Sequence, residues 1–503
     1  MASSGDADEK EAKKFLLGLP KASPSTGAAP ASPTGNTLQV PTASAGTVLS
    51  PRTSARSPSK QTPTAAELLS RAGASGGLSP SAGAASAGAS GAPASPSRGS
   101  TSKWGVARSS VLNFRTLGGL TTSYFLEKQA VVIDFGHAYT KVGFATECRP
   151  RHVFPSPEIR AWRRKGPSLS TTASEEEWID ILDRLMSKVF FYYLSVSPKD
   201  RRVVVCDAAR APTQFRSALV HVLFRRLGVP AVSFVADLVL PLYLTGLSSG
   251  VVIDCGFEAA RVMPTFAGVP ILSALSAASC GGRRAHRRLG RCLNARLPAD
   301  VGREWLGEAA VLEDVAVRTG YVACTLPAAS PGEPALSLKT DKAMAYAPPG
   351  REPLDVPAEC RWEPFEVFFD GGGGNGGETA EEDDECEACS CSSLPEAFIR
   401  TLSRCPVDVR AAVVQNVVIC GGCAALRGML PRLALELRAA LQREPRMASL
   451  AGRLLITPLD FAPVSAVWTG GAVFAALEGV GDYTKEDYDR GNPLPDWARE
   501  GFV

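Results

Sequence analysis

The chain has 503 residues, with 54 Lys and Arg against 51 Asp and Glu, and a formal charge of +3 too balanced to argue for nucleic acid as a partner. No uninterrupted apolar run reaches the roughly 18 residues of a membrane-spanning helix; the best candidate, VPAVSFVADLVLPLYLTGL, is broken by Asp237 and Pro241. Thirteen cysteines, an odd number scattered through apolar stretches, read as reduced thiols of an intracellular protein rather than a disulfide framework.

In chain order, residues 1–125 are dominated by Ser, Ala, Gly, Pro and Thr, as in GAAPASPTGNTLQVPTASAGT. So few large apolar side chains do not offset the entropy of ordering, and a disordered tail is expected. Its SP and TP dipeptides, near Arg52, Arg56 and Lys60, are candidate phosphate acceptors. The apolar run in KKFLLGLP is too short for a secretory signal and follows acidic residues. Residues 126–490 are long enough for two core-bearing lobes, with an acidic Gly-rich insert at 370–393, and 491–503 form a C-terminal tail.

Strands are predicted at AVVIDF (130–135), RRVVVCD (201–207), GVVIDC (250–255) and NVVICGG (416–422), β-branched runs that end at Gly or Asp. Helices are predicted at EEEWIDILDRLMSKVFFYYL (175–194), which opens with acids, and at TQFRSALVHVLFRRL (213–227). The latter puts Phe215, Leu219, Val222, Leu223 and Leu227 on one stripe, with Pro212 in the first turn. Strands alternating with helices predict an α/β fold.

VVIDFGHAYTKVGF (131–144) is echoed by VVIDCGFEAARVMPTFAGVP (251–270). Two copies of strand, Asp-x-Gly turn and strand predict two lobes facing each other across a cleft. In such turns glycine lets backbone N–H groups approach a phosphate, and the Asp at the strand end can hold hydrated Mg²⁺. Two turns face to face would clamp a triphosphate. Gly421 and Gly422, after the fourth strand, would pass beneath a nucleoside.

With these motifs in this order, followed by CPVDVRAAVVQNVVICGG and AVWTGGAVFAAL, the chain resembles the actin superfamily from about residue 130 to 480. RPRHVFPS (149–156) and VLEDVAVRTGYVAC (311–324) add to the likeness. The resemblance implies an actin-like, ribonuclease-H-like duplicated fold, two lobes around a nucleotide cleft. Between residues 155 and 207 the second subdomain is reduced. Within the superfamily, SPKDRRVVV, FRSALVHVLFRRLGVPAV, VVIDCGFEAARVMPTFAGVPIL, RCPVDVR and YTKEDYDRGNPLPDW resemble the actin-related proteins of the dynactin pointed end. That likeness implies a non-catalytic cap in the cytoplasm and cytoskeleton. Its partners would be the actin-like filament and the other pointed-end subunits, and indirectly dynein, without nucleic acid or membrane insertion. The alternatives are an active actin-type ATPase and an actin-related subunit of a nuclear chromatin remodeller.

Carried over residue by residue, the nucleotide-binding frame is Asp134, Gly136, Lys141, Asp254, Gly256, Gly421 and Gly422. The resemblance implies either ATP or ADP with Mg near Asp134 and Asp254, bound without turnover, or no cofactor at all, and no metal held by the protein alone. Other positions depart from the pattern. His137 and Ala138 replace a hydroxyl residue and a glycine, and Phe257 and Glu258 replace an acid and a glycine. Asp237 falls where a glutamine positions the attacking water, and Arg261 where a histidine assists. Ala316 and Val317 replace the basic and acidic residues that meet the nucleoside. Asp237 and Glu258 are expected to repel a polyanion, and no catalytic residue is assigned.

His137 is expected to be a hydrogen-bonded structural residue of its turn rather than a phosphate ligand or base. Cys386, Cys389 and Cys391 lack the second half of a thiolate metal site, so a flexible acidic loop is expected there. The basic run RRAHRRLGRCLNAR (283–296) reads either as a contact for an acidic partner or as a solvated helix face. WTGGAVFAALEG (468–479) fits close helix packing.

Overall fold

A computed structural model describes residues 128–156, 174–209, 211–298, 308–326, 336–337, 342–348, 352–370, 391–477 and 481–496. The expected N-terminal tail, Cys386 and Cys389 of the insert, and the end of the C-terminal tail lie outside the described residues.

The first lobe is built on β1 (Val131–Phe135), β2 (Tyr139–Phe144), β3 (His152–Pro155), β4 (Val203–Asp207) and β5 (Ala231–Ala236). The second uses β6 (Gly250–Cys255), β7 (Ala260–Phe266), β8 (Val269–Pro270) and β9 (Ser276–Ala278). Two ribbons follow, β10 (Thr325–Leu326) with β11 (Leu336–Ser337) and β12 (Met344–Tyr346) with β13 (Leu354–Val356). β14 (Val417–Cys420) joins the second lobe, and β15 (Tyr483–Thr484) returns to the first. Among the described residues the first sheet runs β15-β5-β4-β1-β2-β3 and the second β14-β6-β7-β8, with β9 on β7. β4-β1-β2-β3 and β14-β6-β7-β8 are the same unit twice: a parallel neighbour, then an antiparallel hairpin. All five residues of β1 and all six of β6 are buried, as continuous apolar runs covered on both faces should be.

On one face of the first sheet lie α1 (Glu175–Ser187) and α2 (Thr213–His221). Ser174 and Glu177 form a capping box that starts α1, and Phe215 meets both Phe135 and Trp178 edge to face. The predicted stripe from Phe215 to Leu227 is buried. Each helix ends in a wider π-turn, Lys188–Tyr193 and Val222–Arg226, where Leu194 N–H bonds Val189 O and Leu227 N–H bonds Val222 O. Pro212 stands one position earlier than expected, as the N-cap of α2.

After β5 comes the short α3 (Leu240–Tyr243). The second lobe carries α4 (Gly282–Arg296), α5 (Ala309–Thr319), α6 (Leu394–Arg404), α7 (Val407–Val413) and α8 (Met429–Arg443) around its own core. α9 (Ala466–Ala476) covers the other face of the first sheet, and α10 (Lys485–Asp489) follows β15. Trp468 Nε1–H donates to Val132 O at 3.0 Å, and a Cβ on Gly471 would lie 2.7 Å from Cys206 Sγ. Small residues are what let α9 come this close. Leu238 and Leu242 from the first lobe meet Val252, Met263 and Val418 from the second, with Ala466 of α9, in one apolar seam between the sheets.

The basic run at 283–296 lies within α4, where Arg283 pairs with Glu258, Arg288 with Asp370 and Arg296 with Glu363. Cys391, at the end of the insert, is buried in the second lobe's core, and its backbone forms an isolated β-bridge with Ala278 of the second sheet.

Candidate functional site

The cleft lies where β1 and β6 end. Their terminal acids are nearly buried, Asp134 at 8% and Asp254 at 7% exposure, and Asp237, just beyond β5, is at 6%. The duplicated hairpins set each acid opposite a cation on the next strand. Asp134 is the register partner of Lys141, and Asp254 of Arg261. Lys141 Nζ lies 2.8 Å from Asp134 Oδ2. Burial pulls the Lys141 pKa down, but Asp134, with help from Asp254, more than offsets this and holds it above the ordinary lysine value.

Arg261 does more. Its Nε and Nη2 donate to Asp254 Oδ2 at 3.1 and 2.6 Å, and its Nη1 donates to Asp237 Oδ2 at 2.7 Å. One guanidinium therefore joins the strand-end acid of β6 to the acid that follows β5 in the first lobe. Against the opposing effect of burial, the two carboxylates raise its pKa above the ordinary arginine value. Burial pushes Asp237 above the ordinary carboxylate range while Arg261 pulls it back. The Oδ1 of Asp237 is buried without a hydrogen-bond partner among the described residues.

The acids expected to repel a polyanion, Asp237 and Glu258, each have a cation beside them. Asp237 shares the Arg261 guanidinium with Asp254, and Glu258 is paired with Arg283 Nε at 2.6 Å. The second turn is spent on α4: Gly256 O and Phe257 O accept from Gly282 N–H and Arg283 N–H, and the Phe257 ring meets His286. In the first turn Gly136 N–H donates to Tyr139 O, and Ala138 O accepts from Ser156 N–H. His137 is part of that turn.

Gly421 has φ of +95°, and a Cβ there would stand 2.5 Å from both Asp254 Oδ1 and Cys255 O. Its N–H is taken by Pro463 O, and Gly422 opens the next short helix. On α5, Ala316 is buried at 3% and Val317 is 73% exposed, so only Ala316 faces inward. The active member of that helix is one that sequence comparison missed. Glu313 Oε1 accepts from Tyr139 Oη–H at 2.7 Å, a hydrogen bond from one lobe to the other.

An actin family model matches residues 176–301 and 325–491, more than half of the chain. The chain belongs to the actin family. The first hairpin lies ahead of the matched span, and its place in the actin fold rests on the duplicated sheet topology. Members of this family generally bind ATP or ADP with Mg²⁺. The residues here do not fit the metal. Asp254 Oδ2 is held by Arg261, and Asp134 Oδ2 is held by Lys141. A divalent ion beside Asp254 would also stand next to a fixed guanidinium, and like charges at such range repel by kcal/mol.

Proposed function

We propose that this actin-family chain is a non-catalytic structural subunit that caps the pointed end of the dynactin actin-like filament, in the manner of actin-related protein ten. It would act in the cytoplasm, on the cytoskeleton, and support dynein-driven transport along microtubules. The observation that carries the non-catalytic part is Arg261 lying between Asp254 and Asp237. Hydrolysis needs a positioned water and preorganised stabilisation of developing charge. Here the position of the water-orienting residue is an acid, and that acid is tied to a guanidinium. The dynactin part is supported by the resemblance of SPKDRRVVV, VVIDCGFEAARVMPTFAGVPIL and YTKEDYDRGNPLPDW, and by the short sequence between residues 155 and 207. A subunit without a long second-subdomain loop can sit on a filament end without supporting further growth.

Capture of the tagged full-length protein from cells, with identification of what comes with it, tests the assignment. Recovery of filament and pointed-end dynactin subunits supports it, and recovery of a helicase-type remodeller instead overturns it. Phosphate release from ATP by the purified protein should stay at background. Turnover that is lost in Asp134→Ala or Asp254→Ala would establish the ATPase alternative.

A further inference from the structure

We propose that Arg261 takes over the lobe-joining work of a metal–nucleotide group: its guanidinium, gripping Asp254 of one lobe and Asp237 of the other, closes the cleft, so the folded protein requires neither a divalent cation nor a nucleotide. This stands on the geometry of the cleft and is independent of the assembly the chain joins.

Three observations carry it. The first is placement. Arg261 occupies in β7 the register position that Lys141 occupies in β2, yet it reaches both its own hairpin acid and the acid just beyond β5 in the other lobe. A lysine ammonium is a point charge on a flexible stem, whereas a guanidinium is a planar fork that serves two carboxylates at once. The second is occupancy. One oxygen of Asp254 is held by Arg261 and one of Asp134 by Lys141, so each acid of the metal-facing pair already has a cation of the chain beside it. The third is redundancy of closure. Tyr139–Glu313 crosses the cleft from β2 to α5, and the apolar seam of Leu238, Leu242, Val252, Met263 and Val418 joins the sheets behind it. Two polar straps and an apolar seam join the lobes through the chain's own residues.

The test compares melting temperatures of the purified full-length protein in EDTA, in MgCl₂ and in saturating Mg-ATP. The wild type is expected to melt at the same temperature in all three, within about 2 °C; a rise above that with Mg²⁺ or Mg-ATP overturns the proposal. Stoichiometric magnesium or nucleotide released from the protein as purified overturns it too. Arg261→Gln leaves two facing carboxylates without their cation. It should melt about 5 °C or more lower in EDTA and recover part of the loss in MgCl₂, acquiring a metal dependence the wild type lacks. A variant indistinguishable from wild type sinks the proposal. Should Arg261→Gln not fold, Arg261→Lys keeps the pairing with Asp254, and the wild-type comparison decides alone. An ATPase-negative protein that Mg-ATP stabilises would refute this inference and leave the structural-subunit reading standing.

Discussion

The two hairpins at the cleft are built alike and end differently. Each sets a buried strand-end acid opposite a cation seven residues on, Asp134 with Lys141 and Asp254 with Arg261. In the first hairpin the pair stays within its lobe. In the second the longer, forked cation also takes Asp237 from across the cleft. A single lysine-to-arginine difference at an equivalent position turns a local ion pair into a link between lobes. It also changes the meaning of Asp237, from an isolated charge in a phosphate site to the far anchor of that link.

The largest effect should come from removing the two cations in turn. Arg261→Met leaves two nearly buried carboxylates facing each other and should cost about 3–5 kcal/mol in urea unfolding. Lys141→Met strands one carboxylate and should cost less, about 2–3 kcal/mol. Equal losses would break the distinction between a lobe-joining and a local pair. Next comes Arg261→Lys, which turns the second hairpin into a copy of the first. A loss of about 1–2 kcal/mol is expected. Faster amide exchange along β5 and β7 should accompany it, and unchanged exchange would show that Asp237 does not depend on the arginine.

Tyr139→Phe removes the second strap and should cost about 1 kcal/mol. Combined with Arg261→Lys, the losses should add to within about 0.5 kcal/mol if the straps act independently, which a double-mutant cycle reads directly. The smallest effect is chemical. Burial pushes the Cys423 and Cys280 thiols up to about 12, and Cys423 Sγ lies 3.4 Å from Gly256 O of the second turn. Little thiolate forms at mildly alkaline pH, so alkylation mapped by peptide mass should find exposed Cys148 modified well before either. Arg261→Lys should speed the labelling of Cys423. Equal rates in the two proteins would mean that the second hairpin does not loosen when the link to Asp237 is lost.

Much of the scaffold could be read from residue order. The β-branched runs at 130–135, 201–207, 250–255 and 416–422 coincide with β1, β4, β6 and β14, because continuous apolar runs have few other ways to be buried. The stripe from Phe215 to Leu227 is buried as expected, and the small residues of WTGGAV do pack closely, against Leu240 and Cys206. The π-turns at the ends of α1 and α2 were not legible, since a one-residue widening leaves the apolar stripe intact. At the site, Asp134, Asp254 and Gly421 were found by motif, while Glu313 was missed. Nothing local marks it, because its partner Tyr139 lies 174 positions away in the chain. A signal for Arg261 was present in the aligned repeats, where it matches Lys141, although its second partner was not.

By itself, the sequence determined two duplicated lobes, their hairpins and the acids at the strand ends. These follow from local periodicity, turn chemistry and an internal repeat. Only the tertiary structure decided what those acids face. Arg261 lies in the second sheet and Asp237 just beyond the end of β5 in the first lobe, and their 2.7 Å contact depends on the apolar seam that sets one lobe against the other. Charge pairing across a cleft depends on that packing, which no stretch of either hairpin encodes alone.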